Sequence, residues 1–469
     1  SCAQPESPRT KPRSGMTDSP GEGDYLEQLA RFVALTRVED IPRKVLDRAA
    51  DIFVDTFAVI AQGMRTDELR KLADTQLSSA SPGPCWVIGS GRTTNSIDAA
   101  MLNGIAGAWH DFDEGNTLAN GHPGIQVLPV ALALGQVLRR PGREVLAAFA
   151  LGYEVVARIG RATRVKLIVN PHGTFGVVGS ALVSGRLSGY PPDRMRALAS
   201  LAACTCMATN RHTMIDSATI RNWYAGHSGF MGQMALRLAQ SGLTGTTDGV
   251  NTTFSLVLGD GFDRDKAVEG LGESWMLPEG YIKLHPTARY VHSAIDAWND
   301  ALSRMPAAPA PEDIDHIDIK AYKLAAFLDR QIPADWFGTR FSLPFAIATL
   351  AVGGRTGLDA FSAQALADPR VRALCLRISV NEDPGFTAEY PSAQNVLLTV
   401  RMRDGSYHEG RCTVTSGEPS RPIPRKDLDQ KYFDLAEPVW GADRARTIRN
   451  RLRHLEDCED VSQLFDFNP

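Results

Sequence analysis

The chain has 469 residues, of which 43% are hydrophobic, and this length is enough for two or three domains. Its net charge is −4 and its isoelectric point is about 6.2, so it lacks the overall positive field that nucleic-acid binding needs. No stretch reaches the roughly 18 uninterrupted apolar residues of a membrane span. Neither nucleic acid nor a membrane is therefore a predicted partner.

The N-terminal segment 1–22 is rich in Ser, Pro, Arg and Gly and has no apolar run of the kind that signal peptides contain. We predict that it is disordered. The chain has seven cysteines, an odd number, and they are widely spread. This usage favours reduced thiols and a cytoplasmic location.

Helical patterns then fill most of the first 286 residues. An amphipathic stripe begins near Asp24, and a second helix begins at Asp40 and ends near Gly63. Several later segments are rich in Ala and Gly and apolar on more than one face, which is typical of buried helices. These segments are 95–106, 124–138, 142–162, 174–187, 194–205 and 228–240.

The pattern changes after Pro286. Apolar residues alternate around 317–321 and 376–380, and two further alternating segments flank Asp404-Gly405, a strong hairpin signal. Helical patterns lie between them at 341–352 and 358–366, and helices return at 426–435 and 442–453. We predict a mainly α protein in which a large all-helical domain (23–286 plus 416–469) carries an inserted, smaller α+β lid domain (287–415).

The segment 110–129, which reads HDFDEGNTLANGHPGIQVLP, holds the densest group of ionisable side chains. Asp111, Asp113 and Glu114 precede an Asn/Gly-rich loop, and His122 follows it at the entry of an apolar helix. A solvated loop with a capping histidine is the plain alternative. Acids and bases grouped beside a helix N-terminus, whose dipole favours anions, indicate proton transfer next to a bound carboxylate.

Three other positions carry candidate chemistry. His172 also stands just before a helix rich in small residues. Arg221, beside Asn222, can hold a carboxylate with two hydrogen bonds. Lys283 lies where the helical pattern gives way to the α+β pattern, and ligand sites favour such seams. A turn, a helix start and a solvated linker are the corresponding structural alternatives. No metal-ligand spacing links these residues, so we predict no metal.

The order of these segments resembles the MmgE/PrpD family, whose members include 2-methylcitrate dehydratase, cis-aconitate decarboxylase and iminodisuccinate epimerase. The resemblance rests on motifs spread over about 24–440. They are Asp111-x-Asp-Glu, His122-Pro-Gly, His172-Gly-Thr-x-Gly, the stretch Thr219–Gly226, Lys283-x-x-Pro, Ala288-Arg with His292, Phe341-Ser-Leu-Pro-Phe and the Asp404-Gly405 hairpin.

The resemblance implies a helical domain with an α+β lid, a cleft between them, a homodimer, no cofactor and a small polycarboxylate substrate. By position, it implies catalytic roles for Asp111, His122, His172 and Lys283. The chain departs from the decarboxylases in three places. They carry Lys-Pro where this chain has Arg221-Asn222, they have a Thr near Gly115, and their lid tyrosine falls at Phe345, which we count as a substrate-binding position.

These residues predict a mechanism in which Arg221 and Lys283 bind substrate carboxylates and stabilise developing negative charge. His122 and His172 would act as base and acid on opposite sides of the substrate, and Asp111 would orient one of them.

Asp113 and Glu114 would bind a substrate hydroxyl or shape the loop. The leading hypothesis for the reaction is a 2-methylcitrate dehydratase-like hydro-lyase. An epimerase and a cis-aconitate decarboxylase-like enzyme are the alternatives, and a non-catalytic carboxylate-binding homologue is a more remote one.

Overall fold

A computed structural model describes residues 24–469, so the disorder predicted for 1–22 lies outside the described residues. Helices dominate this part of the chain, as predicted. The α-helices are α1 Tyr25–Leu35, α2 Arg43–Met64, α3 Asp67–Leu77, α4 Ser96–Ala108, α5 Pro123–Val137, α6 Gly142–Ala162, α7 Phe175–Leu187, α8 Pro192–Ala203, α9 His212–Ile215, α10 Trp223–Gln240, α11 Gly249–Asn251, α12 Arg264–Val268, α13 Arg289–Leu302, α14 Lys323–Ala326, α15 Leu343–Gly353, α16 Ala363–Ala367, α17 Pro369–Cys375, α18 Pro384–Glu389, α19 Arg425–Trp440 and α20 Ala442–Arg453.

The strands form two small antiparallel pairs and one larger sheet. They are β1 Cys85–Val87, β2 Arg92–Thr94, β3 Thr163–Val165, β4 Gly259–Phe262, β5 Ile314–Ala321, β6 Ile378–Glu382, β7 Val396–Met402 and β8 Tyr407–Cys412. β1 pairs with β2 and β3 with β4, both antiparallel. The prediction that the first 286 residues are all helical is therefore wrong in detail. Strands of three or four residues are too short to display the alternation by which we recognise them.

The larger sheet has the order β6–β5–β7–β8, with β5 and β6 parallel and the other pairs antiparallel. The predicted hairpin is confirmed, because β7 and β8 are joined through Gly405, whose φ is +89°. Leu376 is not part of the sheet, since it caps α17 and β6 begins at Ile378. The helix predicted at 358–366 is interrupted at Ser362, which ends a 3₁₀ turn and caps α16.

The helices α4, α5, α7 and α10 pack together in the first of two buried apolar clusters, and α10 contacts each of the other three. They approach closely because glycines face each other at their crossings. A Cβ atom on Gly104 would lie 2.9 Å from the Cα atom of Gly226, and one on Gly226 would lie 2.7 Å from the carbonyl oxygen of Met101. This close approach brings the end of α4 and the start of α10, which both carry candidate site residues, into one region.

A second buried apolar cluster joins the four-stranded sheet to α13 and α15. The C-terminal helices α19 and α20 pack onto the first cluster instead, through residues such as Tyr432, Leu435 and Ile448. This packing is what an inserted unit at 287–415 would require, because the chain must then come back to the helical part after residue 415. The division into domains remains a prediction. Within residues 24–469, no helix combines the length and apolar character that crossing a bilayer demands.

Candidate active site

The candidate site begins where α4 ends. The chain leaves α4 after Ala108, and Asp111 adopts a φ of +49°, a left-handed conformation that Asp tolerates better than most residues. The chain then runs through the Asn/Gly-rich loop to His122, which immediately precedes α5. Pro123 is the first residue of that helix, where its missing N–H has no intrahelical partner to lose.

Asp111 is the centre of a buried ion network. Its Oδ1 atom lies 2.9 Å from Arg221 Nη2 and 3.3 Å from Lys283 Nζ, which also donates a hydrogen bond of 2.9 Å to the Asp111 carbonyl oxygen. All three side chains are buried. Burial alone would raise the pKa of Asp111, but the positive charges of Lys283 and Arg221 outweigh it and lower the pKa to about 2. Asp111 is thus ionised and forms ion pairs with both Arg221 and Lys283.

His122 lies beside the second carboxylate. Its Nδ1 atom is 2.7 Å from the carbonyl oxygen of Glu114 and 3.1 Å from Asp113 Oδ2. In a neutral ring the Nδ1 proton points to the nearer carbonyl, which leaves the Nε2 lone pair free. Burial would raise the pKa of Asp113, but the neighbouring His122 lowers it well below its usual range. The ionised Asp113 carboxylate therefore provides a negative charge beside a protonated His122.

His172 contacts His122 edge-on, with ring centroids 4.6 Å apart. The turn before α7 positions it, since Asn170 Oδ1 accepts a hydrogen bond from the His172 backbone N–H. Both ring nitrogens are buried and have no hydrogen-bond partner among the described residues. Burial, and then the charges of His122 and Arg221, hold the pKa of His172 well below its usual value, so this ring is neutral.

Glu114 is the third carboxylate and behaves differently. It accepts hydrogen bonds from the Gly124 backbone N–H and, at 3.1 Å, from the Tyr153 hydroxyl. A Cβ atom on Gly124 would lie only 2.9 Å from Glu114 Cγ, so this position needs glycine. Burial and the negative charge of Asp113 raise the pKa of Glu114 to about 8, and it is mostly protonated at neutral pH.

Asp111, His122, His172 and Arg221 line one cleft. Its other lining residues are Asn116, Thr117, Asn120, Gly121, Asn170, Pro171, Arg211, Met214, Tyr281, Ala288, Arg289, Tyr290 and Tyr390. Among these, sequence reasoning missed Arg211, Arg289 and Tyr390. Arg289 belongs to the Ala288-Arg motif and would have been found by weighing that motif for chemistry. Arg211 and Tyr390 stand in loops with no pattern to mark them.

Other predicted site residues lie behind the cleft wall. Lys283 and Asp113 are fully buried and do not line the cleft. Lys283 contacts Asp111, and Asp113 contacts His122, and each of these partners does line it. Asn222 is also fully buried, and its amide atoms have no partner within residues 24–469, so it does not share a ligand-facing fork with Arg221.

Phe345 does not line the cleft. It is fully buried in the second apolar cluster, with its ring 6.2 Å from Phe361. The helix α15 is apolar on nearly every face, and this side chain belongs to the core. The structure therefore places Phe345 in the apolar core and not in the cleft, where a substrate-binding residue is expected.

Two predicted relationships also need correction. Asp111 does not orient a histidine, because its carboxylate is held by Arg221 and Lys283, and Asp113 takes the place beside His122. The two histidines do not stand on opposite sides of a substrate volume, because their rings touch. His122 precedes α5 and His172 lies just before α7, and the N-terminal ends of these two helices lie close together.

Asp113, His122 and His172 also satisfy the spacing of metal ligands, since one donor atom of each lies within 4.8 Å of the others. Two imidazoles and a carboxylate form a common set for divalent transition metals. This grouping arises from folding, because the three residues show no metal-ligand spacing along the chain. The absence of a metal from the reaction therefore stays a prediction.

Comparison with known proteins identifies the class. Residues 27–258 match the MmgE/PrpD N-terminal domain and residues 285–457 match the MmgE/PrpD C-terminal domain. The chain therefore belongs to the MmgE/PrpD family.

Curated relatives are similar over nearly their whole length. The cis-aconitate decarboxylase of Aspergillus terreus is 23% identical over 476 residues, covering 96% of each chain. The human cis-aconitate decarboxylase is 23% identical over 461 residues, covering 93% of each chain. A cis-aconitate decarboxylase-like protein of Aspergillus oryzae is 24% identical, covering 96% of this chain and 98% of its own.

The raised pKa of Glu114 predicts a distinctive pH dependence of stability. The carboxyl titrates near 8 in the folded state and near 4.5 in the unfolded chain, so the folded state binds more protons between these values. This group therefore lowers the free energy of unfolding as pH rises from 4.5 to 8. Glu114→Gln keeps an acceptor for Gly124 and removes the titration. The variant should gain roughly 1.4 kcal/mol per pH unit relative to the wild type over that window.

Urea unfolding at pH 5, 6, 7 and 8 measures this difference. Glu68→Gln, at an exposed position of α3, is the matched control and should give a flat difference. A flat difference for Glu114→Gln as well would mean that Glu114 is ionised in the folded protein.

Proposed function

We propose that the protein is a cofactor-independent lyase that removes a proton next to a carboxylate of a small polycarboxylate, most closely a 2-methylcitrate dehydratase-like hydro-lyase. One observation carries the proposal. A histidine with a fixed tautomer, His122, shares a cleft with Arg221, whose Nη1 and Nε atoms are buried without a partner among the described residues. Such a cation binds a carboxylate next to the base that acts on the adjacent carbon.

In this mechanism His122 Nε2 takes the proton. The hydrogen bond from Nδ1 to the Glu114 carbonyl holds the ring in place, and the Asp113 carboxylate stabilises the imidazolium that forms. Negative charge meanwhile develops on the substrate carboxylate. Arg221 stabilises that charge, and Asp111 keeps the guanidinium in position.

The adjacent histidines favour loss of water from one face. His172 is neutral and lies against His122, so it can donate a hydrogen bond to the hydroxyl that leaves. The protonated His122 can then deliver its proton to the same oxygen. We therefore expect syn elimination, in which the proton and the hydroxyl depart from the same side of the substrate.

Decarboxylation is the second candidate, because the curated relatives named above are cis-aconitate decarboxylases or like them. At 23% identity the reaction does not transfer with the family, and the Arg221-Asn222 pair departs from the decarboxylase pattern. Inversion by an epimerase needs proton-transfer groups on opposite faces of the substrate, which two touching histidines do not provide.

We also propose that residues 287–415 act as a lid. Tyr290 and Tyr390 come from this range and line the cleft together with His122 and His172. A lid that closes over the substrate would exclude water and strengthen the electrostatic contacts. The predicted cytoplasmic location agrees with the six cysteines of residues 24–469, all of which are free thiols.

Proton NMR in D2O with citrate, 2-methylcitrate and cis-aconitate tests the reaction. We expect deuterium to enter next to a carboxylate and water to be lost. Carbon dioxide release without water loss would replace the dehydratase by a decarboxylase. His122→Ala and His172→Ala should each lower turnover at least ~100-fold, the usual scale of a lost general acid or base.

His454→Ala is the matched control, because this histidine is exposed at the end of α20. Its turnover should equal that of the wild type. Turnover within a few fold of wild type in both cleft variants would remove this mechanism. Binding of a polycarboxylate without any exchange would favour the non-catalytic homologue.

Exhaustive chelation tests the cofactor-independent part of the proposal. Turnover should survive dialysis against EDTA followed by metal-free buffer, because the proposed steps use only side chains. Loss of turnover that added Zn²⁺ or Mn²⁺ restores would assign Asp113, His122 and His172 as metal ligands instead.

The homodimer that the family resemblance implies also belongs to this proposal. Leu256 and Val257 are 70% and 61% exposed, and Leu167 and Ile168 nearby are 50% and 46% exposed. Lys166 links these two segments through hydrogen bonds to Val257 and Leu258. A second copy covering such apolar surface would stabilise it. Light scattering should give twice the monomer mass of 50.9 kDa, and a monomer would contradict the prediction.

A further inference from the structure

Three arginines line the cleft, and two of them are neutralised by carboxylates. Arg221 pairs with Asp111, and Arg289 pairs with Glu418 at 2.7 Å. Arg211 has no ion-pair partner within residues 24–469. A half-buried cation without a counter-charge costs free energy that a bound anion would offset.

Arg211 is nevertheless held in a defined position. Its Nε atom donates to the Val169 carbonyl oxygen at 3.0 Å, and its Nη1 atom donates to the Tyr290 hydroxyl at 3.3 Å. No described residue accepts from Nη2. The side chain is therefore oriented by its neighbours while part of its hydrogen-bonding capacity remains available in the cleft.

Two tyrosines add donors at the same place. The Tyr290 hydroxyl accepts from Arg211, so its own proton is free to point elsewhere. Tyr390 also lines the cleft, and burial raises its pKa well above the usual value, which keeps its hydroxyl protonated. Both rings are fixed by Tyr322, which stacks on Tyr390 and meets Tyr290 edge-on.

We propose that Arg211 and the Tyr290 hydroxyl, with Tyr390 beside them, form a second carboxylate subsite, distinct from the one at Arg221. A guanidinium that is flanked by hydroxyl groups and forms no ion pair with a described carboxylate is suited to a carboxylate ligand rather than to a neutral group. The cleft then prefers a substrate with a further carboxylate over the analogue that lacks it. This inference rests on the proposed function, whose substrate class it narrows.

The subsite also couples the two parts of the chain. Val169 and Arg211 precede residue 287, whereas Tyr290 and Tyr390 lie in the proposed lid. A carboxylate held by Arg211 and the two tyrosines would draw the lid toward the helical part, so that recognition of the extra carboxylate assists closure.

Calorimetric binding of two unreactive compounds tests the subsite. Tricarballylate carries three carboxylates, and methylsuccinate lacks one terminal carboxylate. We expect the wild type to bind tricarballylate ~10–100-fold more tightly, the scale of a charged hydrogen-bonding contact. Arg211→Gln should reduce this preference to about 2-fold without changing the affinity for methylsuccinate.

Two further variants keep the test decisive. Lys320→Gln removes an exposed positive charge on β5 that does not line the cleft, and it should leave the preference unchanged. Arg211→Lys keeps the charge but loses the planar fork, and should lower the preference at least ~3-fold. It also answers the question if Arg211→Gln fails to fold.

A wild-type preference that survives in both Arg211 variants overturns the subsite while leaving the proposed function intact. Equal affinity of the wild type for the two compounds also overturns the subsite alone. Failure of the wild type to bind either compound overturns the proposed function and this inference together.

Discussion

The carboxylate of Asp111 is the group on which the arrangement of the cleft depends. It is almost fully buried and contacts both Arg221, at the entry of α10, and Lys283, on the segment that leads to α13. Its left-handed backbone conformation costs on the order of 1 kcal/mol and persists only where the surrounding structure fixes it. With the carboxylate removed, two buried cations would face each other without compensation, and Arg221 would lose its orientation toward the substrate.

Of three carboxyl groups within four residues, two are ionised and one is protonated, because their surroundings differ. Burial acts on all three in the same direction, toward the neutral form. Lys283 and Arg221 overcome it at Asp111, and His122 overcomes it at Asp113. Glu114 has no such cation in contact, faces the charge of Asp113, and keeps its proton. The loop thus supplies an anchor for cations, a partner for the base, and a neutral support for the entry of α5.

The helix starts beside the cleft and several of its lining residues could be predicted from the sequence alone. The helix entries after His122 and before Phe175 were located within two residues, because proline and small residues mark them. Sequence order also brought Asp111, His122 and Arg221 forward as candidates, and the structure collects them in one cleft.

What sequence reasoning missed depends on long-range packing. Arg211 and Tyr390 line the same cleft although nearly 180 residues separate them in the chain, and no local sequence pattern predicts this. The contact between His122 and His172 follows from the angle at which two helix entries converge, so the expectation of opposite faces was wrong. Phe345 was chosen by its position in an order of motifs, whereas the apolar surface of α15 decides that its ring lies in the core.

A crystal structure of the chelated protein with tricarballylate bound is the most direct test of the proposed mechanism. We expect one carboxylate on Arg221 and the carbon next to it closest to His122 Nε2, with His172 on the same face. A ligand whose carboxylates avoid Arg221, or whose reactive carbon faces away from both histidines, would contradict it.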